Sequence, residues 1–348
     1  MKTLVVFALV PLILVSGCLG FDFNGIFSWF GSDVIKVSER TLTEGTRDII
    51  AIQNVQTIPN PGNILPEKPV QLYYTLVNND DLKKAESVMT RLYDAPTFKS
   101  ADPPYERCNA GIVCRPNDGE AQSCATDDAC ELLPGEERLV SYRLLSPTNE
   151  EIANIRAQPR LSFDVTYYTN SSLSFTFPVV TFDEVIKRQR AGESVDLALV
   201  ASHGSGPLQI DASIVGEHYG LAEYPVTVIF TLKDVGGGSV YGSTIDYSPV
   251  SQRLRGMRIK IPKDFTVVSY PEDIFSWYNE GDYTVYVNER KAISMLLDQS
   301  QLSMRFEIQL DDPEKANPYR HFTILADAGY VYELRGSLDV TINPFGNR

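Results

Sequence analysis

Val70-Gln-Leu-Tyr-Tyr-Thr-Leu-Val77 decides the class of this protein. Val70, Leu72, Tyr74 and Leu76 stand at every second position, separated by Gln71, Tyr73 and Thr75. A period of two places one apolar row on one face of a strand. The pattern recurs in Leu161-Ser-Phe-Asp-Val-Thr-Tyr167, Leu173-Ser-Phe-Thr-Phe177, Val226-Thr-Val-Ile-Phe-Thr-Leu232 and Leu338-Asp-Val-Thr-Ile342. Each run is rich in β-branched and aromatic residues and bounded by Gly, Pro, Asn or Asp. Only Thr181–Ala191 and Pro147–Ala157 offer helical patterns, both short. The expected class is all-β.

The strands repeat across the chain. Asp48-Ile-Ile-Ala-Ile52, a Pro/Asn/Gly stretch and Pro69-Val70 through Asn79 are echoed by Asp196-Leu-Ala-Leu-Val200, a Gly-rich stretch and Pro225-Val226 through Asp234. Val140-Ser-Tyr-Arg-Leu144 followed by Pro147 matches Phe306-Glu-Ile-Gln-Leu310 followed by Pro313. A tyrosine-bearing strand and a last hairpin close each half, Tyr167 to Val179 and Tyr330 to Ile342. A period of about 150 residues indicates a duplicated domain and not a solenoid. The joint is expected at 183–194, where Lys187-Arg188-Gln189-Arg190 suits a solvated linker or short helix.

Short strands with turn signals between them suggest immunoglobulin-like sandwiches. The openings of the halves, about 45–95 and 195–245, resemble the CARDB-like (cell-adhesion-related) modules of archaeal and bacterial surface proteins. In that pattern Asp-Leu leads an extended strand, a Pro/Gly-rich turn and a long strand ending in Asn-x-Gly. Asp48-Ile to Asn78-Asn79 and Asp196-Leu to Asp234-Val-Gly236 match it, although Asn78-Asn79-Asp80 lacks the glycine. The resemblance implies two tandem immunoglobulin-like β-sandwich domains, 45–182 and 195–345. Both halves exceed the about 100 residues such a sandwich takes. The excess is assigned to an insert at 96–134 in the first and at about 249–294 in the second.

The N-terminus carries a different signal. Met1-Lys2 supplies charge, Thr3 to Val15 an apolar stretch and Ser16-Gly17 small residues, the elements of a secretory signal. With Cys18 next, Val15-Ser16-Gly17-Cys18 resembles a lipobox, the cleavage site of prokaryotic lipoproteins. That resemblance implies a signal peptide at 1–17 and a lipid thioether on Cys18, with 18–44 as an aromatic tether. An uncleaved span would need about 17–25 apolar residues, and this run breaks at Ser16-Gly17. Simple secretion is the competing outcome. Phe21, Phe23, Ile26, Phe27, Trp29 and Phe30 suit a membrane interface or packing on the first domain.

Four further cysteines, Cys108, Cys114, Cys124 and Cys130, follow the spacing C-x5-C-x9-C-x5-C. Structural zinc prefers pairs two to four residues apart, so the spacing fits it poorly. Disulfides require an oxidising compartment. The residue numbers of Cys108/Cys130 and Cys114/Cys124 have equal sums, as opposed residues of an antiparallel hairpin do, and each arm's cysteines share a face. Nested bridges Cys108–Cys130 and Cys114–Cys124 would staple a hairpin turning at Asn117-Asp118-Gly119. Two sequential loops, Cys108–Cys114 and Cys124–Cys130, are the alternative.

The 348 residues carry a net charge of −14. Nucleic-acid binding needs clustered Lys and Arg, so that class is excluded. Arg253, Arg255 and Arg258, with Lys260 and Lys263, form the one basic stretch; it is a candidate contact for a negative partner or an exposed strand face. Trp277 and Tyr278 in the second insert are candidates for stacking on a sugar or peptide; alternatively Phe275 and Trp277 cap the core. Asn170-Ser171-Ser172, expected in a hairpin turn, is a glycosylation sequon.

Catalytic signals are weak. The three histidines are His203, His218 and His321. His203-Gly-Ser205-Gly lacks the nucleophile elbow. Val235-Gly-Gly-Gly-Ser239 lacks the Lys-Ser/Thr of a phosphate loop and reads as a hairpin connection. Asp80-Asp81, Asp127-Asp128 and Asp311-Asp312 lack a calcium-loop spacing and suit solvated turns. No catalytic residue, metal site or cofactor is assigned. The expectation is a non-enzymatic structural or adhesive protein at the outer face of the cytoplasmic membrane, held by lipid on Cys18 and contacting an envelope protein or glycan. A ligand- or glycan-binding lipoprotein serving uptake is the alternative, and a surface hydrolase the third reading.

Overall fold

The structure, a computed structural model, describes residues 48–100, 113–115, 131–195, 197–216, 218–247, 256–295 and 301–345. The first half contains β1 (Ile50–Ile58), β2 (Pro69–Asn78), β3 (Glu86–Asp94), β4 (Lys99–Ser100), β5 (Val113–Arg115), β6 (Glu137–Leu145) and β7 (Arg160–Val180). Helix α1 (Phe182–Ala191) follows. The second half contains β8 (Val200–His203), β9 (Leu208–Ile214), β10 (Gly220–Leu221), β11 (Val226–Asp234), β12 (Ser239–Val240) and β13 (Thr244–Ile245). It continues with β14 (Gly256–Pro262), β15 (Phe265–Ser269), β16 (Ser276–Glu280), β17 (Tyr283–Val287), β18 (Ile293–Ser294), β19 (Gln301–Leu310) and β20 (Tyr319–Asp339). The protein is all-β.

Burial follows the period of two. Val70, Leu72, Tyr74 and Leu76 on β2 are buried, as are Val226, Val228, Phe230 and Leu232 on β11, while their neighbours are half-exposed. Each of these strands lies inside a four-stranded antiparallel sheet, ordered β1-β2-β6-β4 in the first half and β15-β19-β11-β9 in the second. Val70 faces Leu144 across the first ladder, and Val226 faces Ile308 across the second. The repeated strands thus occupy equivalent places.

The echo of Asp48 by Asp196 is displaced by one strand. β1 pairs with β2, but β8, four residues beyond Asp196, pairs with β7, and β9 takes the place beside β11. Gly204-Ser205-Gly206-Pro207 lets the chain change sheets there. A Cβ on Gly204 would sit 2.5 Å from Ser172 Oγ, and Gly206 holds φ 142°.

Helix α1 forms as its sequence indicates. Asp183 and Glu184 occupy its first turn, Arg188 and Arg190 its last, in accord with the helix dipole. Gly192 at φ 73° ends it in a left-handed cap. Residues 147–157 are turns instead of the expected helix. Ala153 and Asn154 have φ 53° and 56°, Ile152 is buried and Ile155 is exposed. A single apolar anchor does not make the stripe that a surface helix needs.

The largest departure concerns the ends of the halves. Each is a continuous 21-residue strand, β7 and β20, with no hairpin turn. They pair antiparallel over their whole length, from Tyr319 opposite Val180 to Asp339 opposite Arg160. Asn170 therefore lies mid-strand, exposed and opposite Gly329, and not in a turn. The polar run Thr169–Ser172 looks like a turn, yet its groups find partners here. Ser171 Oγ lies 2.9 Å from the Tyr330 hydroxyl, and Lys83 Nζ donates to the Asn170 carbonyl at 2.7 Å.

Both long strands pass from one half's core into the other's. Phe163, early on β7, stacks on Tyr74 at 4.1 Å; Phe177, late on β7, lies 6.0 Å from Phe265. Phe322, early on β20, lies 4.8 Å from Phe265; Tyr332, later on β20, lies 5.9 Å from Tyr167. Beyond β20, the amides of Thr341 and Asn343 donate to the carbonyls of Pro61 and Ile64. The result is a ten-stranded sheet along β16-β17-β14-β20-β7-β3-β5, with β8, β10 and β12 attached at its flanks.

Candidate functional site

The last strands of that sheet, β14, β17 and β16, carry the side chains singled out in the second insert. Phe275, just before β16, is fully buried with its ring 5.6 Å from Phe306. Trp277 and Tyr278 on β16 are 55% and 42% exposed. Alternation along a strand sends them to opposite faces, so they do not form one stacking platform. Phe275 caps the core; Trp277 stands largely outside it.

Tyr278 shares its face with a charged row. Lys260 Nζ meets Glu280 Oε1 at 2.8 Å, the Tyr278 hydroxyl donates to Glu280 Oε2 at 3.3 Å, and Arg258 Nε donates to Asp327 Oδ2 at 2.9 Å. Partial burial and the negative charge of Glu280 push the Tyr278 hydroxyl above its ordinary pKa. The charges of Arg258 and Lys260 are thus matched within the protein. Arg253 and Arg255 lie outside the described residues, as do Cys18, Cys108, Cys124 and Cys130. Cys114 falls on β5, whose backbone runs parallel to β3 with Thr90 opposite Cys114. The stapled hairpin therefore also lies outside the described residues.

The remaining chemical candidates are dispersed. His203 Nδ1 lies 2.9 Å from the Ile210 carbonyl and Nε2 3.3 Å from Asp211. Ser205 turns elsewhere and hydrogen-bonds Asp80. His321 packs edge-on to Tyr319, and His218 is exposed. Asp80 accepts the Leu82 and Lys83 amides at 2.8 Å, and Asp312 accepts the Glu314 amide at 3.1 Å, so both serve turns. Among the described residues no cluster of three or more His, Cys, Asp or Glu could hold a metal, and no helix is long and apolar enough to cross a membrane.

Val235–Ser239 is not a hairpin connection. It carries the chain from β11 to β12, which pairs with β20 in the other sheet. A Cβ on Gly238 would collide with the Glu333 carbonyl, so the crossing needs glycine there. The Gly237 amide donates to Asp48 Oδ2 at 2.9 Å, and the Tyr332 hydroxyl donates to Asp234 Oδ1 at 2.9 Å. An open groove of about 520 Å³ lies beside this loop, with Asp48, Ile50, Ile52, Asn79, Gly237 and Arg335 on its walls. Sequence reasoning does not find it, because Asp48 and Gly237 are 189 residues apart.

Two aspartates here respond oppositely to pH. Burial raises the Asp80 pKa, but hydrogen bonds from Ser205, Leu82 and Lys83 and the charge of Lys83 outweigh it, leaving the carboxyl below 3.8. Its stabilisation is present above the unfolded pKa and lost as pH falls through the folded one. Burial and repulsion from Asp48 hold Asp234 above 3.8, against the Tyr332 and Gly236 hydrogen bonds. Its protonated form favours the fold, and that stabilisation is lost as pH rises through the folded pKa. Thermal melts should show Asp80→Ala destabilised at pH 7 by about 2 kcal/mol, the deficit shrinking in acid. Asp234→Asn should raise Tm at pH 7, the gain vanishing in acid below the unfolded carboxylate pKa of about 3.9, where Asp234 is protonated in both the folded and unfolded states. Equal and pH-independent effects would refute these assignments.

No protein-family model matches the chain, and neither does any curated protein.

Proposed function

We propose that this is a lipid-anchored, extracytoplasmic structural or adhesive protein of a prokaryotic cell envelope, held at the outer face of the cytoplasmic membrane through Cys18 and acting by contact. The observation that carries this reading is β16. It is a surface strand at one end of the ten-stranded sheet, pairs only with β17 among the described residues, and bears two exposed aromatic rings. Exposed aromatics on a rigid frame are the usual anchors of protein and glycan contacts.

Each half pairs a four-stranded sheet with a share of the large one, which supports an immunoglobulin-like, CARDB-like sandwich as the ancestral unit. The signal-like start and Cys18 support the anchor, and two hydrocarbon chains would make it stable.

The test is fractionation combined with cross-linking of intact envelopes. Cys18→Ser should release the protein or leave it unprocessed, while wild-type Lys260, Lys263 and Lys291 recurrently link to protein. Unchanged processing and attachment in Cys18→Ser would remove the anchor. The groove beside Asp48 favours a second reading, capture of a small ligand or glycan. In that case these lysines would show no recurrent protein partner.

A further inference from the structure

We infer that β16 is the seam at which two copies of this chain pair edge to edge, antiparallel, on the membrane that holds them; the inference rests on the anchored interaction reading above.

An open sheet edge is a template for another strand, and proteins guard such edges with bulges, charges, prolines, covering groups or short length. The edges of both four-stranded sheets are guarded. β1 is interrupted by an irregularity between Gln53 and Gln56, with Asn54 at φ 54°. β15 is interrupted between Val267 and Ser269. β9 carries Asp211 at its centre, and His203 reaches the Ile210 carbonyl. β4 has two residues. By contrast, β16 pairs with β17 in unbroken register, contains no proline, and has its single charge at the last position, Glu280.

The sequence of β16 is complementary to itself. A two-fold axis through Tyr278, perpendicular to the sheet, places Tyr278 opposite the Tyr278 of the second copy. Trp277 then faces Asn279, and Ser276 faces Glu280. No like charges oppose each other, and an aromatic pair occupies the centre.

Charge directs the same choice of occupant. Two molecules of net charge −14 repel over most of their surfaces, but residues 256–291 hold five basic and six acidic side chains. Several are already matched, Lys260 to Glu280 and Lys291 to Asp273 among them. This is a place where two acidic copies can approach without a one-sided field. Five-residue strands bury little area, so the pairing needs the high effective concentration that a shared membrane supplies.

The experiment places single cysteines in the full-length anchored chain and oxidises intact envelopes, with the wild-type chain as background. Opposed residues of an antiparallel ladder lie within disulfide range, so Tyr278→Cys should give a covalent dimer about tenfold more readily than Asn279→Cys. Cells carrying both Trp277→Cys and Asn279→Cys chains should give the mixed dimer. Linking of Tyr278→Cys to a different protein overturns the self-pairing and leaves the interaction reading standing. Equal linking at 278 and 279, or none, with the chain in the membrane fraction also overturns it. Loss of the wild-type chain from that fraction instead overturns the anchored reading.

Discussion

Expressed separately, residues 45–182 and 195–345 will both fail to fold, whereas the full chain cut once between Gly192 and Glu193 will remain one particle. The reason lies in β7 and β20. A first half alone would carry Leu173, Phe175, Phe177 and Val179 on a strand whose partners belong to the second half; all four are buried in the intact protein. Exposing a large apolar side chain costs about 1.5–3 kcal/mol, so these four alone put roughly 6–12 kcal/mol at stake. That equals the entire stability of an ordinary domain, about 5–15 kcal/mol. The second half alone would expose Tyr330, Tyr332 and Leu334 in the same way. Cutting after Gly192 leaves the ladder untouched, because α1 ends at Ala191. Gel filtration of the nicked protein, and solubility of the separate halves, decide the matter. Two soluble, cooperatively melting halves would show that the crossing is dispensable.

Phe306→Ala should be among the most damaging single substitutions. Its ring is fully buried and lies 5.5 Å from Phe230, 5.6 Å from Phe275, 5.5 Å from Tyr286 and 6.2 Å from Tyr270. Removing a buried phenyl group leaves a cavity and costs about 3–5 kcal/mol. The effect extends to the surface, because Phe275 and Tyr286 position β16 and β17. Urea denaturation should show a lowered midpoint, and amide exchange in 276–287 should accelerate more than in β2. Trp277→Ala, at a half-exposed ring, should change stability by no more than about 0.5 kcal/mol. A similar loss for both variants would mean that Trp277 belongs to the core.

The sandwich strands are legible wherever burial is local. The alternation in Val70–Val77 and Val226–Leu232 announces one buried face, and the matching Leu144 and Leu310 ends locate β6 and β19. Helix α1 is legible from its charges. The crossing of β7 is not, because Thr169–Ser172 is polar and the groups that satisfy it, Tyr330 and Lys83, come from distant regions of the chain. The candidate site is half legible. Trp277 and Tyr278 stand out by type, but their opposite directions and the end-of-sheet position of β16 depend on pairing with β17. The Asp48 groove depends wholly on tertiary contact.

The exchange of long strands also has a mechanical meaning. The described chain both enters and leaves through the first half, since β1 begins there and Thr341 and Asn343 bond to Pro61 and Ile64. In the proposed role, a tension between the N-terminal tether and a contact on β16 would run along β7 and β20. Their inter-strand hydrogen bonds lie across that line of force. They are loaded together in shear and must break as a group, whereas a zip opens tooth by tooth. Such a splice gives toughness without added mass.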